Sequence, residues 1–135
     1  MIKPGRKSDP IPDDIERFTK PILDSAYAIH SALGPGLLEN IYEATMVYEL
    51  GKRGLKIKSQ TPIPIVYDGL KLDAGLRLDL LVEDRVIVEL KSVESMLPIH
   101  EAQLLTYLKL AGKRVGFLIN FNVTSLKDGI KRIVL

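Results

Sequence analysis

The sequence predicts an α/β fold, on three observations. Apolar residues recur at helical spacing through the first third, the period changes to two near Lys56, and a last helical stretch precedes two short apolar runs. The expected order is helix, helix, three or four strands, helix, strand, strand, with no internal repeat or low-complexity segment. A chain of 135 residues suits one core.

Met1 to Pro12 carries Lys3, Arg6, Lys7 and prolines at 4, 10 and 12, and reads as a flexible basic arm ahead of a single domain over 13–135. A helical pattern begins at Asp13. Pro21 falls in the first turn of the main helix, with Thr19 as its N-cap, and Ile22, Ala26, Ile29 and Leu33 form its stripe. Gly34-Pro35-Gly36 stops that helix, because proline cannot continue one and glycine serves its C-terminus. The next, about Leu37 to Arg53, is apolar almost all round and is expected to be buried on more than one side. Ile63, Ile65 and Tyr67, alternating with Pro62, Pro64 and Val66, suit an edge strand, since proline cannot donate to a ladder. Asp68-Gly69 is a turn signal leading to a short strand at Leu70 to Leu72. Leu76 to Val82 and Val86 to Val93 read as a hairpin, Pro98 to Ala111 as a helix closed by Gly112, and Val115 to Phe121 and Ile130 to Leu135 as strands.

Composition removes several function classes. The chain is 46% apolar and 27% charged, which excludes global disorder. It has no cysteine, so a disulfide scaffold, a cysteine zinc site and a thiol nucleophile are excluded, and a reducing cytoplasm is the expected setting. Nineteen Lys and Arg against 17 Asp and Glu leave a net charge of +2, so nucleic-acid binding has to come from a local cluster or a bound cation. No apolar run approaches the roughly 20 residues that span a bilayer, so the chain is expected to be neither exported nor membrane-spanning.

The chemistry concentrates in the hairpin. With Glu83-Asp84-Arg85 as a three-residue loop, Val82 faces Val86, Leu80 faces Val88, Asp79 faces Glu89, Leu78 faces Leu90 and Arg77 faces Lys91. One face is then Leu76, Leu78, Leu80 and Val82 with Val86, Val88 and Leu90. The other holds Arg77, Asp79 and Leu81 with Ile87, Glu89 and Lys91. Carboxylates directly opposite, with Cβ atoms about 4.5 to 5.5 Å apart, repel unless a positive charge lies between them. A divalent cation with hard oxygen ligands, Mg²⁺ or Mn²⁺, would supply it, with Lys91 on the same face. The competing reading is a solvated face on which Lys91 pairs diagonally with Asp79. Glu39 stands on the second helix, with Tyr42 three residues on and on the same side, either as a site residue or as an N-terminal acid favoured by the helix dipole. His100, Gln103 and Tyr107 form a polar stripe on the third helix; His30 and His100 read most simply as structural residues.

Gly36-Leu37-Leu38-Glu39-Asn40-Ile41-Tyr42 resembles the G-x-x-E-x-x-Y signature of a family of small prokaryotic proteins placed in the PD-(D/E)xK nuclease superfamily. The resemblance runs from about Ile15 through the Gly-Pro-Gly turn, the Asp79 strand, Glu89-Leu90-Lys91 and the Gln103 helix to the last strand; Leu78 replaces the proline of the superfamily's name. It implies a restriction-endonuclease-like core, a central mixed β-sheet flanked by α-helices. It further implies Glu39, Asp79 and Glu89 as metal ligands, Lys91 as the catalytic lysine, and Gln103 and Tyr107 as a Q-x-x-x-Y element.

Together these readings point to a Mg²⁺-dependent (or Mn²⁺-dependent) nuclease. Asp79, Glu89 and Glu39, with the backbone carbonyl of Leu90, would hold the metal; Lys91 would orient water or stabilise the transition state; Gln103 and Tyr107 would position water or phosphate. Arg77, Lys109, Lys113 and Arg114, with Lys3, Arg6 and Lys7 of the arm, are candidate phosphate contacts. Nucleic acid, DNA first, is the expected partner, and the small size leaves room for a homodimer or a larger protein partner. The rival classes are a non-catalytic nucleic-acid-binding or protein-interaction module on the same fold, and a hydrolase of small phosphodiesters.

Overall fold

The computed structural model describes residues 9–73 and 75–135. Lys3, Arg6 and Lys7, with most of the expected arm, lie outside the described residues. Asp9 lies against the body of the chain, its carbonyl accepting a hydrogen bond from Arg114 Nη2 at 3.0 Å.

Helix α1 (Asp13–Glu16) is one turn that buries Ile15, and α2 (Thr19–Leu33) follows at once. Because α1 leaves a carbonyl just upstream, the Thr19 hydroxyl donates back to Glu16 O at 2.8 Å, and Phe18 takes the N-cap position expected of Thr19. Ile22, Ala26 and Ile29 are buried as the spacing predicts, but Leu33 is exposed. Gly34, at φ 72, closes the helix.

Helix α3 (Glu39–Lys52) corrects the expectation of many-sided burial. Only Tyr42, Met46 and Leu50 are buried, a single i, i+4, i+8 stripe, while Leu38, Ile41, Val47 and Tyr48 are exposed. That stripe is the apolar seam by which the helix lies on α2 and the sheet. Tyr42 points into the core, away from Glu39's exposed position; its ring stacks on Phe121 at 4.3 Å. Its hydroxyl donates to Gly34 O at 2.6 Å and accepts from the Leu37 N–H at 3.2 Å, which ties the Gly-Pro-Gly turn to the helix that follows.

Five strands form the main sheet in the order β1 (Ile57–Pro62), β4 (Arg77–Val82), β5 (Val86–Lys91), β6 (Val115–Asn120), β7 (Ile130–Val134). The β5–β6 pair is parallel and the others antiparallel. Pro62 ends the edge strand β1, since neither it nor Pro64 has an N–H to donate. Ile65 and Tyr67, expected in the edge strand, instead lie in β2 (Ile65–Tyr67), which pairs with β3 (Leu70–Leu72) as a separate hairpin. Its turn is Asp68-Gly69 at φ 50 and 80, the twist that such hairpins require. Its base is closed by Ile63 N–H to Leu76 O at 2.9 Å. Val66, Tyr67, Leu70 and Leu72 on it are exposed.

The β4–β5 loop has the three residues expected, with Glu83 and Asp84 at φ 53 and 56, and the register is Val82↔Val86, Leu81↔Ile87, Leu80↔Val88. There the ladder stops. Leu80, Val82, Val86, Val88 and Leu90 face α2 and α3 in one core cluster, with Phe117 and Phe121. Leu76 and Leu78, expected on that face, pack instead in a second cluster with Leu81, Ile87 and Leu104. The alternation breaks at Asp79, opposite Gln60, which has φ 51 and is skipped in the β1–β4 ladder. The second cluster lies beneath α4 (Pro98–Ala111), the crossover between the parallel strands β5 and β6. So the face with Leu81 and Ile87 is covered, not solvated. Helix α4 seats against Gly116, where an added Cβ would stand 3.0 Å from Leu104 Cδ1. Among the described residues no helix is long and apolar enough to cross a membrane.

Tyr42→Phe keeps the stacking and loses both hydroxyl bonds. It should cost about 1–2 kcal/mol and lower Tm by roughly 3–8 °C, read by thermal denaturation; an unchanged Tm would show that the turn does not depend on the hydroxyl.

Candidate active site

Where the β4–β5 ladder stops, two carboxylates take over from the backbone. The Asp79 N–H donates to Glu89 Oε1 at 3.0 Å, and the Leu90 N–H donates to Asp79 Oδ2 at 2.9 Å. Glu89 is only 7% exposed. Burial and then the charge of Asp79 raise its pKa from 4.5 to about 8, against the opposing pull of the Asp79 N–H and of Lys91. On α4, Tyr107 is buried above this pair. Its pKa is raised by burial and by the charges of Glu89 and Asp79, against a hydrogen bond with Gln103, so it remains a phenol and a donor.

Beside the pair, a pocket of about 180 Å³ is lined by Glu39, Asn40, Glu43, Gln60, Asp79 and Leu90. Glu39 opens α3, and its Oε1 accepts the Ser92 N–H at 3.3 Å; the Ser92 hydroxyl donates to Leu37 O at 2.6 Å. These two bonds dock the start of α3 onto the chain leaving β5. Glu43 and Gln60 were not singled out by the sequence reading, and they meet across the pocket through Gln60 Nε2 to Glu43 Oε1 at 2.6 Å. Glu43 follows Glu39 by four residues, one turn along the same helix face, and that spacing was its signal. In kind the donors suit a hard cation: three carboxylates and two amide oxygens, with no sulfur or imidazole. In position they are not gathered, and among the described residues no three ligating side chains converge on one point. Glu39, Glu43 and Glu89 are each turned to an N–H donor.

The other candidates divide by location. Lys91 ends β5, half-buried, and among the described residues forms no ion pair with Asp79 or Glu89. Gln103 is exposed on α4 within hydrogen-bond reach of Tyr107. Arg77 is exposed at the same end of the sheet, donating to Gln60 O at 3.3 Å, and Lys109 is exposed on α4. Lys113 and Arg114 lie at the opposite end, since Val115 is the register partner of Val86 while Asn120 is that of Lys91, roughly 17 Å of strand away. There Lys113 pairs with Asp84 at 3.4 Å, and Arg114 donates to the carbonyls of Leu135 and Asp9. Both therefore stand apart from the carboxylates. They line a separate cavity of about 390 Å³ with Pro12, Ile15 and Arg85, the last paired with Asp14. Both histidines bond within the fold: His30 Nε2 donates to Val123 O at 2.7 Å, and His100 Nδ1 accepts the Leu97 N–H at 3.0 Å, capping α4.

A five-stranded mixed sheet between two helical layers, with Asp79, Glu89 and Lys91 at the open end of a central hairpin, defines a restriction-endonuclease-like architecture. The chain belongs to the PD-(D/E)XK nuclease superfamily, whose family model matches residues 16–133. No curated protein and no solved structure matches it significantly.

The Glu89 shift has a measurable sign. Folding raises this pKa, so the folded chain holds the extra proton between about pH 4.5 and 8, and the stability this brings is complete below 4.5 and lost as pH rises through 8. Metal-free protein should therefore melt on the order of 5–10 °C lower at pH 8 than at pH 5, and Glu89→Gln should flatten that slope. An equal slope in the variant would place the titration elsewhere.

Proposed function

We propose that this chain is a metal-dependent nuclease of the G-x-x-E-x-x-Y type, hydrolysing phosphodiester bonds in nucleic acid, DNA first. The observation that carries the reading is the pairing of buried Glu89 with half-buried Asp79, joined through each other's strand and followed by Lys91. Glu89, whose burial and neighbouring Asp79 raise its pKa to about 8, marks a site short of positive charge. Mg²⁺ or Mn²⁺ bound there would supply Lewis acidity towards the phosphate and acidify a water.

Asp79, Glu89 and Glu39, with the Leu90 carbonyl, are the residues that would hold the ion, and Glu43 stands next to them in the pocket wall. As a ligand Glu89 would be in its carboxylate form, its proton released to solvent. Lys91 directs its ammonium towards the attacked phosphate, where it orients the nucleophile or offsets growing negative charge. Tyr107, oriented by Gln103, offers its hydroxyl to water or to a phosphate oxygen, and α4 keeps bulk water from Glu89. Arg77 and Lys109 are the cations left to meet flanking phosphates.

One observation favours the second reading, a nucleic-acid-binding or protein-interaction module without turnover: the carboxylates are engaged with N–H donors and do not converge. Cleavage separates the two. Assayed on single- and double-stranded DNA and RNA, the protein should cut at least one of them, DNA first, with Mg²⁺ or Mn²⁺ and none with EDTA, and Lys91→Ala should lower kcat by roughly 100-fold or more while affinity changes less than about threefold. Cleavage by the variant at the wild-type rate would remove Lys91 from the chemistry.

Metal binding has its own readout. Mg²⁺ or Mn²⁺ should raise Tm by mass action, Asp79→Ala with Glu89→Ala should abolish the rise, and Glu39→Gln should weaken it without lowering the metal-free Tm by more than a few degrees. A lower metal-free Tm with an unchanged metal response would make Glu39 a docking residue for Ser92 alone.

A further inference from the structure

We propose that Asn120 is a positioning residue for Lys91, pinning the chain just beyond the lysine so that its ammonium stays by the Asp79–Glu89 pair. Lys91 is the last residue of β5, and Asn120, its register partner, the last of β6. On the β4 side the backbone ladder has already stopped at Leu80↔Val88, leaving the Leu90 N–H on the Asp79 carboxylate, and Ser92 is tied to α3, so the backbone rungs that continue through Lys91 come from β6. The last backbone rung there is the Phe121 N–H to Lys91 O, at 3.0 Å.

Two residues on, where the chain leaves the sheet, the Asn120 side chain acts as the next rung. Its Oδ1 accepts the Val93 N–H at 3.1 Å and its Nδ2 donates to Val93 O at 3.0 Å. A carboxamide carries the same donor and acceptor as a peptide group, so it extends the ladder by one unit. Its orientation is fixed, because the Asn122 N–H also reaches Oδ1, at 3.2 Å, and only the oxygen accepts two donors. Asn122 Nδ2 adds a bond to Val93 O at 3.3 Å.

Asn120 cannot drift from this task. It is 2% exposed, and Gly129 packs so closely that a Cβ there would stand 2.1 Å from the Asn120 carbonyl oxygen. The rest of β6, Val115 to Ile119, is apolar or glycine. Packing of the sheet does not call for an amide at the strand's end; holding Val93 does. A lysine side chain is long and flexible, and its reach is set by where its backbone is held. Misplacing a positioned group by about 1 Å can cost on the order of 100-fold in rate.

The kinetic arm of the test rests on the nuclease reading above; the exchange arm does not. Asn120→Ala should lower kcat roughly tenfold or more with KM within about threefold, and Asn122→Ala should act in the same direction but less. If Asn120 acts through Lys91, Asn120→Ala added to Lys91→Ala brings no further loss. Losses that multiply would overturn the proposal. Amide exchange provides the second readout: in Asn120→Ala the Val93 amide should lose at least about tenfold protection while Phe117 and Ile119 keep theirs, and unchanged Val93 protection would also overturn it. Should Asn120→Ala not fold, Asn122→Ala carries both measurements, since Asn122 is only half-buried. If the wild type cuts nothing, the nuclease reading falls, and Val93 exchange with the NMR order parameter of the Lys91 side chain decides the pinning alone.

Discussion

The arrangement depends on the exchange between Asp79 and Glu89, in which each carboxylate accepts an N–H of the other's strand. A backbone N–H left without a partner in a buried sheet costs about 1–3 kcal/mol, and here two side chains remove that cost at the point where the ladder ends. The strands are free to part, and the pocket opens beside them. The same exchange brings two acids together under cover of α4, and that proximity, added to burial, is what lifts Glu89 towards neutral pH. Strand separation and acid chemistry thus have one cause.

Around this pair, each layer of the fold holds one edge of the site. Helix α3 arrives from one side, its start fixed to the chain leaving β5 by Glu39 and Leu37 through Ser92. The G-x-x-E-x-x-Y spacing acquires a mechanical meaning here. Gly36 has φ 94, Glu39 reaches Ser92, and Tyr42 returns to Gly34 and Leu37, so one motif makes the turn, docks the helix and bolts the two together. Helix α4 closes the other side with Leu104, Tyr107 and Leu108.

Much of this was legible wherever local chemistry decides. Pro98 and Gly112 bracket α4 because proline suits a first turn and glycine a left-handed end; the Asp68-Gly69 turn and the three-residue β4–β5 loop follow from similar rules. Tertiary contacts decided the rest. Strict alternation would put Leu78 with Leu80; it lies under α4 instead, beyond the break at Asp79, where Gln60 across the ladder is left-handed and the pairing with β5 ends. An apolar helix reads as buried all round, yet α3 buries only one stripe, Tyr42, Met46 and Leu50. Lys113 and Arg114 are close to α4 in sequence, but the parallel crossover carries them to the far end of the sheet. Asp79, Glu89 and Lys91 were visible because period two shows which residues share a strand face; Glu43 and Gln60 come from separate elements and meet only in the fold.

The two hairpins differ in what they allow chain length to do. One residue gained or lost between Val82 and Val86 would slip β5 against β4, and Glu89 would no longer meet the Asp79 N–H. The excursion that carries β2 and β3 is different, since the Ile63–Leu76 bridge shuts its base and the β1–β4 register is settled below it. Residues can be added or removed beyond that bridge without any rung of the main sheet moving. Variation among descendants of this sequence should therefore collect at the exposed ribbon, where a foreign peptide or an epitope could also be spliced in, while the tight loop at the other end of β4 stays at three residues.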